Sequence, residues 1–201
     1  MDDSERNRRR RQFLLIAALF FSPVIASWAV WAYLGEHGVA ATTNAGSLIQ
    51  PARPLQAVAL TDPAGSALPD DFLGGRWTYL QFDQAGNCIA ACRERLQLTR
   101  QVRLGVNKDI PRVRRVLVLG AAPSEELRAH IAEAHDDLVV AVAANPAAWQ
   151  ALRGQFPAPQ DAPNLFLIDP LGNLMMRYDP AVANKGILKD LRKLLKTSQI
   201  G

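Results

Sequence analysis

Two cysteines, Cys88 and Cys92, stand three residues apart and are the only thiols in a chain of 201 residues. On a helix, an i, i+4 pair shares one face. Their Cα atoms would then lie about 6 Å apart, inside the range a disulfide tolerates. Two thiolates so placed could equally hold one soft metal ion such as Cu(I). A third use is a plain structural staple. A loop this short, however, removes only about 2 kcal/mol of unfolded-chain entropy, near the low end for disulfides. Position and spacing together favour redox or metal chemistry over the staple.

The flanking residues predict how the pair is held. Trp77 to Phe82 is aromatic and β-rich, as a strand is. Asp83 to Asn87 is a polar turn with Gly86 as its breaker. Ile89, Cys92, Leu96 and Thr99 then recur at helical spacing. The thiols therefore fall where a strand gives way to a helix N-terminus. Unpaired backbone N–H groups and the positive end of the helix dipole favour a thiolate there. Arg93 and Arg95 add positive charge beside it, and Cys88, ahead of the helix, is expected to be the more exposed, attacking sulfur.

The other elements come in chain order. A hairpin is expected over Gln56–Leu60 and Ser66–Leu68, around Asp62–Gly65. The helix after Cys88 should stop near Gly105. Strands are predicted at Arg114–Leu119, Leu138–Val142 and Leu165–Ile168, with a return strand at Leu174–Tyr178 after the turn at Asp169–Asn173. Helices are predicted from a Ser124 cap to about His135, over Pro146–Phe156, and over Lys185–Lys196. Strands alternating with helices and closed by a hairpin imply an α/β fold with a mixed central sheet.

The N-terminus reads differently. Residues 1–12 form a basic tail containing Arg6 and Arg8 to Arg11. Residues 13–34 carry no charge for 22 positions, long enough to cross a bilayer. Trp28, Trp31 and Tyr33 sit at the far end, as an interfacial belt would. Arginines stay on the cytoplasmic side, so the rest of the chain is expected outside, in the periplasm of a bacterium. A cleaved signal peptide ending near Val39-Ala40-Ala41, or a twin-arginine signal at Arg10-Arg11, would use the same residues; the length favours a retained single-pass anchor in membrane lipid. Residues 35–54 are expected to be a linker, and residues 55–201 the folded domain.

The formal charge is +4, and residues 93–115 hold eight Lys or Arg against two acids. No nucleic-acid motif or interleaved aromatics accompany them, so nucleic acid is not an expected partner. A solvated helix face, open to an acidic partner, is the reading. His130 and His135 are expected as solvated helix positions, and His37 as a linker residue. Met175 and Met176 point to opposite sides of the return strand and read as core packing.

This order of elements, with CxxxC after the first core strand, resembles the thioredoxin superfamily over Gln56 to Lys196. Within it the chain looks most similar to the SCO/SenC family of membrane-anchored cytochrome c oxidase assembly proteins. Leu60–Gly65 followed by Gly75–Phe82, Cys88-Ile89-Ala90-Ala91-Cys92, and Leu165–Asn173 carry the resemblance. It implies a thioredoxin-like fold, thiol–disulfide oxidoreductase or transient copper chemistry at Cys88 and Cys92, and a cytochrome c oxidase subunit or another assembly factor as partner. It also implies a cis-proline at Pro163, against the cysteine pair. Two departures stand out. The family's copper-ligand histidine falls in a stretch that here reads Gln160-Asp161-Ala162-Pro163-Asn164, and the prolines usual around its CxxxC are absent. Those departures leave a second expectation open: a degenerate thioredoxin-fold interaction module with a static disulfide and no catalysis.

Overall fold

The computed structural model describes residues 3–37, 44–157 and 163–200 and divides into two compact units, Met1–Thr43 and Asn44–Gly201. The first contains α1 (Asp3–His37), in which Arg10–Tyr33 is long and apolar enough to cross a membrane. Phe13, Phe20, Trp28 and Trp31 point outward from it. Pro23 sits inside the helix and has no N–H to give to Leu19. The Ser22 hydroxyl donates to the Leu19 carbonyl instead, at 3.2 Å. A side-chain hydroxyl in that role offsets the hydrogen bond that proline removes from a helix.

The second unit is a seven-stranded sheet in the order β1-β7-β6-β3-β4-β5-β2. Its strands are β1 (Ser47–Pro54), β2 (Leu60–Thr61), β3 (Trp77–Asp83), β4 (Val113–Leu119), β5 (Leu138–Ala143), β6 (Leu165–Ile168) and β7 (Asn173–Tyr178). β3, β4 and β5 are parallel; the other pairings are antiparallel. Such a mixed sheet, with helices on both faces, is the expected α/β architecture. β3 lies in the middle, and side chains at Trp77, Thr78, Tyr79, Leu80 and Gln81 are all buried. Strands covered on both faces lose the alternation of a half-exposed strand.

The helices divide by face. α2 (Ala90–Gly105) and α5 (Asn184–Thr197) cover Trp77, Tyr79, Leu167, Met176 and Tyr178. α3 (Glu125–Ala134) covers Leu117 and Leu119 with Leu127, in one cluster with Leu96 of α2. α4 (Pro146–Arg153) seals the opposite face, where Phe82, Phe156 and Phe166 meet edge to face at 4.8–6.0 Å. The Ser124 cap read from the sequence is present, its side chain accepting from Leu127 N; the Asn145 side chain likewise accepts from Ala148 N. A buried Asp190 on α5 holds the entry to the domain, its Oδ2 accepting from Ala45 N and Gly46 N at 2.9 and 3.0 Å.

Two expectations need correction. Residues 47–54, expected within a linker, form β1 on β7, so the compact unit begins at Asn44. Pro51 and Pro54 stand in this strand. β1 is an edge strand with a register shift between Leu48 and Arg53, and an edge tolerates proline. The early hairpin shrinks to β2, which pairs with β5, plus a single bridge from Thr61 to Ala67. The His37 side chain and Val39–Ala41 lie outside the described part.

Candidate functional site

β3 ends at Asp83, whose carboxylate organises the turn into α2. Asp83 Oδ2 accepts from Asn87 N at 3.0 Å and from Cys88 N at 3.2 Å. Gly86, at φ +72°, makes the turn possible; a Cβ there would run into the Ala122 carbonyl of the loop after β4. The same two loops are tied by Ser124 N donating to Gly86 O at 2.8 Å. Cys88 itself adopts φ +42°, a left-handed conformation uncommon outside glycine. It therefore stands just outside α2 rather than on its face. Ile89 begins the helix without any side-chain cap. The first-turn amides at Cys92 are left to backbone bonds and to whatever charge forms nearby.

Cys88 and Cys92 are joined by a disulfide, with their Cα atoms 5.1 Å apart. The pair is buried among Leu96, Leu117, Leu119 and Leu127. Cys88 is 0% exposed and Cys92 8%, which reverses the expected order of accessibility. The left-handed backbone of Cys88 sets it apart from α2, whereas Cys92 sits on the buried face of that helix. Ile89, between them, is 67% exposed and is the large apolar side chain that the site presents to solvent.

Around the sulfurs the polar groups are few and specific. Gln81, 5% exposed on β3, directs its amide nitrogen to both Cys92 O and Cys92 Sγ at 3.4 Å. Its Oε1 is buried without a hydrogen-bond partner. Arg93 Nε donates to Cys88 O at 2.9 Å, while Nη2 pairs with Glu126 at 2.8 Å. Arg95 lies one turn beyond Cys92 and is 5% exposed. Burial lowers its pKa, and the nearby Asp179 carboxylate partly restores it. Gln81 escaped the sequence reading. A side-chain amide inside Trp-Thr-Tyr-Leu-Gln-Phe, a strand buried on both faces, was the available signal.

Pro163 precedes β6. The antiparallel register sets Leu80 opposite Phe166, so the start of β6 lies at the sheet end from which the cysteine segment leaves. The Ala162–Pro163 bond involves Ala162, outside the described residues, as are Gln160 and Asp161.

The methionines and helix histidines lie elsewhere, the methionines in the core as expected. Met176 is buried in the core between β7 and α5, accepting from the Tyr178 hydroxyl at 3.6 Å, and Met175 packs against the same cluster. His135 is not solvated: it ends α3 at 1% exposure, with Nδ1 3.5 Å from Arg115 Nη2 and its ring 5.2 Å from that of His130. Nor is the basic run a solvated face. Arg95 and Arg115 are buried, Arg103 pairs with Asp137 at 3.3 Å, and Arg112 donates to the carbonyls of Leu195, Ser198 and Ile200. Charge counting along the sequence could not see these internal partners.

A model of the transmembrane-like, thioredoxin-like, C-terminal domain matches residues 77–198. The chain belongs to this family. Its match begins at β3 and ends just beyond α5, so it spans the cysteine pair and the sheet that carries it. Among solved structures, yeast Sco1 with copper bound superposes with a TM-score of 0.62 at 12% identity, over 75% of this chain and 96% of that one. Apo Sco1 from Thermus thermophilus gives 0.59 at 19% identity, over 77% and 99%. The thioredoxin domain of a thiol-disulfide oxidoreductase from Bacteroides vulgatus gives 0.55 at 14%, over 73% and 98%. At these identities the likeness establishes a shared fold. The comparison with curated proteins gave no match.

Copper is bound in the yeast structure, so the fit of this family member's residues to a copper ion matters. Among the described residues no three His, Cys, Asp or Glu side chains converge. The side chain touching Cys92 Sγ is an amide N–H donor, which repels a cation, and a buried guanidinium lies one helical turn on. Cu(I) needs soft lone-pair donors instead. Among the described residues, the site does not supply them beyond the two sulfurs.

Proposed function

We propose that the domain is a membrane-tethered thiol–disulfide exchange factor on the periplasmic side of a bacterial inner membrane, serving cytochrome c oxidase biogenesis by keeping a client's cysteines reduced. The observation that carries the reading is the Cys88–Cys92 disulfide at the N-terminus of α2, beside a buried amide donor. The arginines at the start of α1 favour export of the domain beyond its far end. Solved proteins of like fold include Sco proteins, one described as a member of a family of cytochrome c oxidase assembly proteins with a disulfide switch. Pro163, at the same sheet end, would line the client's approach.

Accessibility sets the order of the chemistry. In the reduced protein the Cys92 thiolate attacks one sulfur of a client disulfide, and the other client sulfur leaves as a thiolate. Cys88 then attacks Cys92 Sγ, passing its proton to that thiolate and releasing the second client sulfur. Two electrons move from the dithiol to the client, and the intramolecular disulfide re-forms. Cys88 can stay buried throughout, because its only target is its neighbour. Cys92, not Cys88, is the attacking sulfur, contrary to the sequence expectation.

A Cys88→Ser chain is therefore expected to accumulate mixed disulfides through Cys92, and Cys92→Ser none. Non-reducing gels of membranes from cells carrying each variant read this out, with mass spectrometry identifying the captured oxidase subunit. Adducts in neither variant would favour the second reading, a static disulfide in an interaction module. The near-complete burial of both sulfurs is the observation on its side.

A further inference from the structure

We infer that Gln81 decides which sulfur carries the negative charge when the disulfide opens, by donating its side-chain amide to a Cys92 thiolate. This rests on the exchange reading above and names the residue that polarises it.

Burying a polar side chain in a central strand costs free energy unless hydrogen bonds offset the lost water. Gln81 meets that condition poorly in the oxidised protein. Its nitrogen has only 3.4 Å contacts, to Cys92 O and to a disulfide sulfur, and its Oε1 has no hydrogen-bond partner. A disulfide sulfur is a feeble acceptor. A thiolate at the same position would be a charged one, and charge-assisted bonds are shorter and about twice as strong. The Gln81 amide thus gains far more in the reduced state than it has in the oxidised state. The neutral Cys92 carbonyl beside the sulfur fixes the amide with its N–H side toward the site.

Cys88 lies in a different field. Arg93 Nε donates to Cys88 O at 2.9 Å, but that guanidinium is paired with Glu126 at 2.8 Å, which leaves the Asp83 carboxylate as the uncompensated charge at Cys88. Asp83 Oδ2 accepts from Cys88 N at 3.2 Å, so a carboxylate stands beside the residue. A second negative charge there is disfavoured. An amide donor at Cys92 and a carboxylate at Cys88 separate two thiols that share one helix end and the same sequence neighbourhood. The result is a thiolate on the more accessible sulfur and a protonated thiol on the buried one.

The test uses the full chain in detergent, reduced, with thiolate ultraviolet absorbance monitored against pH. The chain has only two cysteines, so the same titration in a Cys88→Ser background reports Cys92 alone. Gln81→Met, similar in length but without a donor, is expected to lower the thiolate fraction at neutral pH about tenfold. Gln81→Glu, which places a carboxylate at the sulfur, should lower it further. In the unaltered chain the Gln81 side-chain amide resonances should move with the first thiol titration. A folded Gln81→Met chain with an unchanged titration would overturn the inference. If that variant does not fold, amide resonances that ignore the titration would do so. Failure of the exchange reading looks different: no mixed disulfide forms in Cys88→Ser, whatever Gln81→Met does to the thiolate.

Discussion

Replacing Arg115 by alanine is expected to destabilise the domain by about 3–5 kcal/mol, the range for removing one partner of a buried ion pair. Arg115 lies on central strand β4 and is 1% exposed. Its guanidinium donates to Thr99 Oγ1 at 3.0 Å, to Asp137 Oδ1 at 2.7 Å and to Leu96 O at 2.6 Å. These bonds tie β4 to α2 and to the turn before β5. Burial lowers its pKa, and Asp137 partly offsets that. Alanine would leave a cavity beneath α2 and three acceptors short of a donor. Arg103 still reaches Asp137 at 3.3 Å, which places the expected loss toward the lower end of the range. Urea denaturation monitored by circular dichroism measures it. Because Arg115 bonds the α2 backbone at Leu96, one turn beyond Cys92, the variant should also loosen the disulfide corner.

The same cluster predicts how stability depends on pH. Burial first, then the Arg115 guanidinium and His130, hold the His135 imidazole down to about 4, against the pull of Asp137. In the unfolded chain it titrates near 6.5. Between these values the unfolded state binds the extra proton, so stability rises with pH across that window. The contribution is complete above about pH 6.5 and is lost as pH falls toward 4, to a total of up to about 3 kcal/mol. Nδ1 faces a guanidinium donor, so the neutral ring with Nδ1 as acceptor is the folded form. Denaturation midpoints at several pH values should show this slope, and His135→Gln should flatten it. An equal slope in His135→Gln would contradict the assignment.

Much of the fold was legible because its strands are long apolar runs and its helices carry their own punctuation. Val116–Leu119 and Leu165–Ile168 could only be buried, and Ser124 and Pro146 mark helix starts. β1 was not legible: prolines hid a strand whose partner, β7, lies more than a hundred residues later, and only the sheet edge made them acceptable. At the site, the spacing of Cys88 and Cys92 allowed the bond between them, and equally a shared metal ion. It could not reveal which sulfur is covered, because that depends on Cys88 taking a left-handed backbone after Gly86. The arginines misled for a related reason. A guanidinium reads as surface until its partners are seen, and those of Arg115 come from α2, the end of α3 and Asp137.

Whether Cys88 and Cys92 cycle between dithiol and disulfide is decided by their reduction potential. Equilibrating the chain with glutathione redox buffers, and counting free thiols by alkylation, measures it directly. A working pair should titrate near about −200 mV, within reach of cellular thiol couples. A potential below about −300 mV would mark a resistant structural bond and contradict the exchange function.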